Sequence, residues 1–116
     1  MNEFILLFRR DFKNPETQPS PARSQSMMTE WQNWLGGIAA QDKLVDTGNR
    51  LADEGAVVIA NNQVVNGPYV DIKEGIGGYT IVRAESLSDA VELAKGCPIT
   101  TIGGNVEVRQ LVPPNL

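Results

Sequence analysis

Histidine is absent from this chain of 116 residues, so few of its side chains could carry chemistry. Without histidine, the chain cannot build a Ser-His-Asp triad, a Cys-His pair, a histidine-ligated zinc site or a histidine-bound haem. General acid–base catalysis would depend on Asp, Glu, Tyr or Lys, or on a water molecule held by the backbone. The single cysteine, Cys97, is interpreted as a small buried hydrophobic residue rather than a nucleophile. Many catalytic classes are therefore excluded before any motif is considered.

Glu107 and Arg109 are the first candidate pair for a binding site. They lie in a segment from Asn105 to Val112 that alternates valine with charged residues, a pattern that predicts a strand. Side chains two residues apart on a strand point to the same face, so both could reach a cleft. Arg109 would then orient a carboxylate through its planar guanidinium. The alternative is a cross-strand salt bridge or an exposed sheet face.

The segment Asn66-Gly67-Pro68-Tyr69 is a second candidate, for the rim of a pocket. Asn66 and Gly67 tolerate positive φ and leave backbone N–H groups free to bind an anion or a carbonyl oxygen. Because Asn-Gly-Pro is also a strong turn former, a turn that only ends a hairpin is the alternative.

The aromatic residues Trp31, Trp34, Tyr69 and Tyr79 are a third candidate set. Together they could line a ligand cavity between a helix and a sheet. The alternative for the two tryptophans is core packing, because both fall on the apolar stripe of a predicted helix.

The remaining acidic and glycine-rich segments indicate no metal or cofactor. Asp71 and Glu74 flank Lys73 with no further ligands nearby, so they are interpreted as part of a solvated loop. The glycine-rich stretch 75–78 precedes a predicted strand instead of opening a helix after one, so it is not a dinucleotide-binding fingerprint. We therefore predict no metal and no cofactor.

The elements that position these candidates follow from apolar periodicity. The apolar run Phe4 to Phe8 predicts a strand buried on both faces. Ser20-Pro21 predicts the start of a helix that runs to about Gln41. Its apolar stripe is predicted to face the core and contains Met27, Met28, Trp31, Trp34, Leu35, Ile38 and Ala39. Gly36-Gly37 implies that a backbone packs closely there or that the helix frays early.

Six further elements are predicted downstream, with Asn61-Asn62 as a two-residue turn that tolerates positive φ. They are a strand over Leu44 to Arg50, hairpin strands over 56–60 and 63–65, a strand over Ile76 to Arg83, a helix capped by Ser86 and closed by Gly96, and a last strand over Asn105 to Val112.

This order predicts an α+β fold with the ferredoxin-like split βαβ architecture and a small inserted hairpin. Two helices cover only one face of a four-stranded sheet. Because the first strand is apolar on both faces, the other face needs a cover, and a second copy of the chain is the simplest one. We therefore predict a homodimer packed sheet against sheet.

Chain length and net charge limit the domain count, the partners and the cellular location that we expect. The chain fits one domain, residues 1–116. Its net charge is −4 and no basic run exceeds Arg9-Arg10, so a nucleic-acid partner is not expected. The apolar run 4–8 is too short for a signal peptide or a membrane span, and we expect a cytoplasmic location with no membrane partner. The loop 10–20 fits a lid and a flexible linker equally.

From about Met27 to Val112 the chain resembles the YCII-related family, in the branch named for its DGPF motif. That motif is Asn66-Gly67-Pro68-Tyr69 here, with Asn in place of Asp and Tyr in place of Phe. Asp71-Ile72-Lys73-Glu74, Gly77-Gly78-Tyr79 and the closing segment Gly103 to Arg109 are also similar to the family pattern.

The resemblance implies a dimeric α+β barrel with a cleft. One branch of the family is thought to use a His-Asp pair, which this chain lacks. Our leading hypothesis is a small dimeric binding or regulatory module that holds a modest organic ligand in the barrel cleft. One alternative is a cofactor-independent isomerase, oxygenase or hydrolase that uses groups such as Tyr79, Arg109 or Asp71. Another, suggested by the family's association with sigma factors, is a protein-interaction domain that binds a sigma factor.

Overall fold

The computed structural model describes residues 1–11, 18–68 and 75–114. Most of the predicted loop 10–20, and Tyr69, Asp71, Lys73 and Glu74, lie outside these residues. The strands are β1 (Asn2–Arg9), β2 (Leu44–Asp46), β3 (Gly55–Val58), β4 (Val64–Gly67), β5 (Gly78–Ala84) and β6 (Asn105–Gln110). The helices are α1 (Pro21–Ala40) and α2 (Leu87–Lys95), with short 3₁₀ turns at Ala60–Asn62 and Pro98–Ile102.

Four of these strands form one antiparallel sheet in the order β2-β5-β1-β6. The central strand β1 pairs with β5 and β6, so that Leu6 lies opposite Thr80 on one side and Val108 on the other. The hairpin β3-β4 is inserted between β2 and β5 and forms a separate two-stranded sheet. The predicted ferredoxin-like α+β fold with an inserted hairpin is confirmed.

Buried and half-buried side chains alternate along β1, so the sheet has one face covered by the helices and a second face on its other side. Phe4, Leu6 and Phe8 are buried and form the core beneath the helices, whereas Ile5 and Leu7 between them are only half-buried. We call the second face the open face; it carries Ile5, Leu7, Arg9, Ile81, Glu107 and Arg109. The core is completed by Ile38, Val82, Ala84, Ala90, Ala94, Cys97 and Ile99.

Both helices begin where the sequence predicts. Ser20 caps α1, because its hydroxyl oxygen accepts a hydrogen bond from the backbone N–H of Arg23 at 3.1 Å, and Pro21 takes the first helical position. Ser86 caps α2 in the same way, accepting from the N–H of Asp89 at 3.1 Å. These hydroxyls satisfy N–H groups that have no partner within the helix.

The apolar stripe of α1 contributes less to the core than predicted. Only Ile38 of α1 is buried, Trp31 and Trp34 pack partly against the core, and Met28 is 66% exposed. The cause is placement: α1 packs chiefly against the edge strand β2 and the turn Pro98–Ile102, so its first turns extend past the buried centre. The first half of the stripe therefore lines a cleft instead of the core.

The expectation for Gly36-Gly37 is also wrong. In the described part of the chain, no atom outside the helix lies within 4 Å of a Cβ built on either glycine, so no backbone packs closely there. The helix nevertheless continues to Ala40. Helical hydrogen bonding across these exposed positions outweighs the low propensity of glycine.

Strand β2 ends earlier than predicted, at Asp46 rather than Arg50. Gly48 adopts φ +77°, and a Cβ there would lie 1.7 Å from the carbonyl oxygen of Tyr79, so only glycine fits. The carboxylate of Asp46 accepts a hydrogen bond from the N–H of Gly48 at 2.7 Å, which turns the chain out of the strand. Residues 47–50 therefore form a loop beside β5.

The hairpin turns where predicted, since Asn61 and Asn62 have φ of 63° and 61°. Its second strand, however, extends to Gly67. Asn66 and Gly67 pair with Ala56 and Gly55 and therefore lie in a strand, not in the turn that their residue types suggest. A Cβ at Gly67 would lie 3.0 Å from the backbone nitrogen of Ala56, so close strand approach explains this glycine.

Candidate functional site

A cleft of about 570 Å³ lies between α1, the adjacent ends of β1 and β5, and the loop 47–50. This volume is in the range of pockets that hold small organic molecules. One wall is polar and is formed by the loop together with Arg10. The apolar lining is formed by Phe8, Met27, Met28, Trp31, Leu35, Ile99 and Ile102.

Three aromatic rings pack together beside the cleft, and two of them line it. The Phe8 and Trp31 centroids are 4.9 Å apart, and those of Trp31 and Trp34 are 5.5 Å apart, both pairs in edge-to-face geometry. The indole N–H of Trp34 donates to the carbonyl oxygen of Leu93 at 2.9 Å, which joins α1 to α2. Trp34 is therefore a packing residue behind the cleft, whereas Trp31 lines it.

The loop 47–50 is held against β5 by hydrogen bonds on both sides of Gly48. The hydroxyl of Thr80 donates to the carbonyl oxygen of Thr47 at 2.9 Å, and the N–H of Tyr79 donates to the carbonyl oxygen of Asn49 at 3.1 Å. The amide of Asn49 donates to the Tyr79 hydroxyl at 3.3 Å. These contacts fix the backbone from which the side chains of Asn49 and Arg50 extend.

Two arginines, Arg10 and Arg50, line the cleft. The guanidinium of Arg10 donates to the side-chain oxygen of Gln18 at 3.3 Å, and the Gln18 amide donates to the backbone carbonyl of Asp11 at 2.7 Å. Partial burial lowers the pKa of Arg10, and the positive charge of Arg50 lowers it further. Arginine remains charged in proteins. Among the described residues of the lining, these two arginines carry charge and no Asp or Glu occurs.

Glu107 and Arg109 lie on the open face. Val106 and Val108 pack against the core, so the residues alternating with them point away from the helices. The Glu107 carboxylate accepts a hydrogen bond from Arg9 at 2.6 Å and a longer one from Arg109 at 3.4 Å. The hydrogen bond from Arg9 is the main cause that lowers the pKa of Glu107. The structure thus has the cross-strand ion pair that was the alternative interpretation of this pair.

The other predicted site residues are separated. Trp31 lines the cleft, and Tyr79 borders it from β5 but lies opposite Leu7 in the register of the open face, whereas Asn66 and Gly67 lie in the hairpin. Pro68 lines a smaller hollow with residues 51–57 and 75–77, and Tyr69 lies outside the described residues.

Sequence reasoning did not identify Arg10, Asn49 or Arg50 as site residues. The available signals were a basic pair that directly follows an apolar strand, and a Gly-Asn-Arg segment where a strand was predicted to end. Neither signal indicates that residues 10 and 50, which are distant in sequence, line the same cleft.

Cys97 is buried, as predicted, at 1% exposure. Burial raises the pKa of its thiol to about 12, so the thiol is uncharged at neutral pH. Because the thiolate is the reactive form, this cysteine is a packing residue.

Residues 1–11, 18–68 and 75–114 contain no group of three or more Cys, Asp or Glu side chains placed to hold a metal ion. Neither helix combines the length and the apolar character that crossing a bilayer requires.

A comparison with protein families finds one match, and it spans nearly the whole chain. The model described as the YCII-related domain matches residues 13–115, which leaves out only the first twelve residues and the last one. A search of the curated proteins finds no match. The arrangement of the sheet and two helices agrees with the ferredoxin-like fold of that domain. The chain therefore belongs to the YCII-related domain family.

Proposed function

We propose that this chain is a small-molecule-binding module and that a modest organic ligand occupies the cleft beneath α1. The observation that carries the proposal is the cleft itself: about 570 Å³, mostly apolar, with a few polar groups on one wall. That combination is the general pattern of small-molecule sites, in which apolar contact supplies affinity and a few polar groups set orientation.

The exposed methionines of α1 support this function. Met28 is 66% exposed and Met27 is partly exposed, and both line the cleft. Covering apolar surface is favourable by about 25 cal/mol per Å². Methionine is unbranched and flexible, so it adapts its shape to different ligands.

We also propose that the module is a homodimer through the open face. Ile5, Leu7 and Ile81 form an apolar centre there, and Glu107 with its two arginines lies beside it. An identical surface on a second copy would cover the apolar centre, because a two-fold interface joins the same patch to itself. Apolar side chains on both faces of β1 favour such a cover.

Dimerisation is tested by measuring the molar mass in solution by light scattering. The expected mass is twice that of the 12.6 kDa chain. Leu7→Lys places a charge in the apolar centre and should give a monomer with an unchanged circular dichroism spectrum. Asn33→Lys is the matched control, since it adds the same charge at an exposed position of α1 and should remain dimeric. A monomeric unmodified chain would contradict the proposal.

Ligand binding is tested by a thermal-shift screen of small carboxylates, aromatics, sugar phosphates and carbonyl compounds. A ligand at 100 times its Kd adds about 2.7 kcal/mol, which raises Tm by several degrees for a chain of this size. Met28→Glu places a carboxylate in the apolar lining and should reduce the shift of any compound that binds there. Asn33→Glu adds the same charge on the same helix outside the cleft and should leave the shift unchanged. Absence of any shift across the panel would contradict this function.

Three narrower assignments stay predictions. Membership of the DGPF-motif branch depends on Asn66-Gly67-Pro68-Tyr69, of which the structure describes the first three residues. Catalysis without a cofactor would be supported if a compound that raises Tm is also converted. Sigma-factor binding would be supported by co-purification of a sigma factor with the chain.

A further inference from the structure

We propose that the β3-β4 hairpin is a dimerisation element that packs against the second copy of the chain beside the open face. Its docking surface is the face that carries Val58 and Val64, which we call the outer face of the hairpin. This inference rests on the proposed homodimer, because it names a further surface through which the same two copies are joined.

The exposed apolar side chains of the hairpin are the first observation. Val58 and Val64 lie opposite each other in the register and are 68% and 65% exposed. Ile59 and Val65 are exposed as well. A cluster of exposed apolar side chains is typical of a surface that a partner covers. Because the hairpin forms a sheet of its own, it could leave that partner without opening the main sheet.

The second observation is that the hairpin carries no charge. Residues 55–68 contain no Asp, Glu, Lys or Arg, although these types make up 21% of the chain. In the described part of the chain, β3 and β4 pair only with each other. Natural proteins usually place charged residues along such free strand edges to prevent pairing with another chain. An uncharged hairpin therefore favours a partner with an apolar surface over one recognised through charge.

The two faces of the hairpin have different surroundings. Val57 lies on the inner face, because neighbouring residues of a strand point to opposite faces. It is half-buried and lines a small hollow together with Leu51 and Ile76 at the base of the hairpin. The same copy therefore approaches the inner face, whereas the outer face is left for a second copy.

The hairpin leaves the body of the chain at one end of the open face. The N–H of Leu51 donates to the carbonyl oxygen of Gly77 at 2.8 Å, and the N–H of Gly77 donates to that of Phe8 at 2.7 Å. Strand β5 begins at the next residue, and its Tyr79 lies opposite Leu7 of the open face. A second copy on the open face would therefore lie next to the base of the hairpin.

The size of the open face favours a second copy as the partner of the hairpin. Four strands that are spaced about 4.8 Å apart and are about 20 Å long span about 400 Å². A stable interface buries about 800 Å² of accessible surface on each partner, so the open face alone is small for a dimer. The hairpin supplies further apolar area, and a two-fold dimer uses it twice.

The first experiment measures the dimer dissociation constant by light scattering and sedimentation over a dilution series. Val64→Lys should raise this constant by at least about tenfold, because docking of the outer face would bury an unpaired charge. Val64→Thr should raise it by a smaller factor, and it keeps the β-branched shape that suits a strand. Gln63→Lys is the matched control: it adds the same charge at the exposed neighbouring residue and should leave the constant unchanged.

The second experiment identifies what the hairpin contacts. Gln63→Cys provides an exposed thiol for a benzophenone maleimide, whereas the natural Cys97 is buried. Irradiation should give a covalent product of twice the 12.6 kDa mass, with crosslinks in peptides of the open face. The same label at Asn33→Cys, an exposed position of α1, should give no such product.

The outcomes separate this inference from the proposed homodimer. A dimer that Leu7→Lys dissociates and Val64→Lys leaves intact would overturn docking of the hairpin, and the open-face dimer would stand. A monomeric unmodified chain would contradict both. Equal weakening by Gln63→Lys and Val64→Lys would overturn the assignment of the outer face. Crosslinks confined to a single copy would also overturn the proposal, because they would show that the hairpin packs on its own chain.

Discussion

Arg9 and Arg10 are adjacent in the chain, yet one lies on the open face of the sheet and the other lines the cleft beneath α1. On the open face, the Glu107 carboxylate lies between Arg9 and Arg109 and binds both. In the cleft, Arg10 lies near a second cation, Arg50. A cross-strand ion pair suits a structural surface, whereas a mostly apolar lining with a few polar groups suits the binding of an organic molecule.

The covered and open faces should respond differently to truncation of neighbouring residues in β1. Phe8→Ala removes a buried ring that contacts Trp31 and Trp34, and should lower the free energy of unfolding by about 3–5 kcal/mol at every protein concentration. Leu7→Ala should lower the free energy of unfolding by less at low protein concentration and by more at high protein concentration, since a second copy would cover Leu7. Urea denaturation at several protein concentrations measures both. A concentration-independent loss for Leu7→Ala would break the distinction between the faces.

Substitutions of glycines within α1 and of the glycine in the loop 47–50 should change stability with opposite sign. The methyl groups of Gly36→Ala and Gly37→Ala meet no neighbour among residues 1–11, 18–68 and 75–114, and each change should stabilise the chain by about 0.5–1 kcal/mol, because alanine forms helices more readily. Gly48→Ala should destabilise it by more than about 1 kcal/mol, since alanine disfavours the positive φ and meets the Tyr79 carbonyl. Thermal unfolding compares all three variants. Stabilisation by Gly48→Ala would show that the loop does not depend on this close contact.

The thiol of Cys97 provides a pH test of the covered face. Its pKa is raised from 9.0 to about 12 by burial, so the associated stability is complete below about pH 9 and is lost as pH rises towards 12. Cys97→Ala should therefore flatten the alkaline fall in stability. At pH 8, iodoacetamide should modify the unfolded chain quickly and the folded chain only at the rate of unfolding. Rapid modification of the folded chain would contradict a buried thiol.

The smallest effect is expected on the open face. The pKa of Glu107 is lowered chiefly by its hydrogen bond from Arg9, so the stability it contributes is present above the ordinary pKa of a glutamate. That contribution to stability is lost as pH falls through the lowered pKa of Glu107. Glu107→Gln should reduce Tm slightly at neutral pH, less in high salt, and should weaken the acid dependence. A Tm that is equally low in high salt would indicate lost packing instead of lost charge.

Much of the fold could be predicted because the signals are local. The serine caps of both helices, the Asn61-Asn62 turn and the alternation of Val106 and Val108 with charged residues each occupy a few consecutive positions. Each is decided by backbone geometry or by apolar periodicity alone.

The candidate site was harder to predict because it depends on long-range placement. Arg10 and Arg50 line the same cleft only after β2 has paired with β5 and the loop has turned at Gly48. The stripe of α1 was assigned to the core because periodicity shows that a face is apolar, not what that face contacts. Met28 has the same periodicity as Ile38, yet one is exposed and the other is buried.

The separation of the β3-β4 hairpin from the main sheet implies that the molecule opens in stages. Its valines Val58 and Val64 are largely exposed, and an isolated two-stranded sheet is marginally stable in water. Amide protons of the hairpin should exchange with solvent through local opening, whereas those of β1, bonded on both sides, should exchange only when the whole sheet unfolds. Hydrogen exchange should thus be fast in the two-stranded hairpin and slow in the four-stranded sheet.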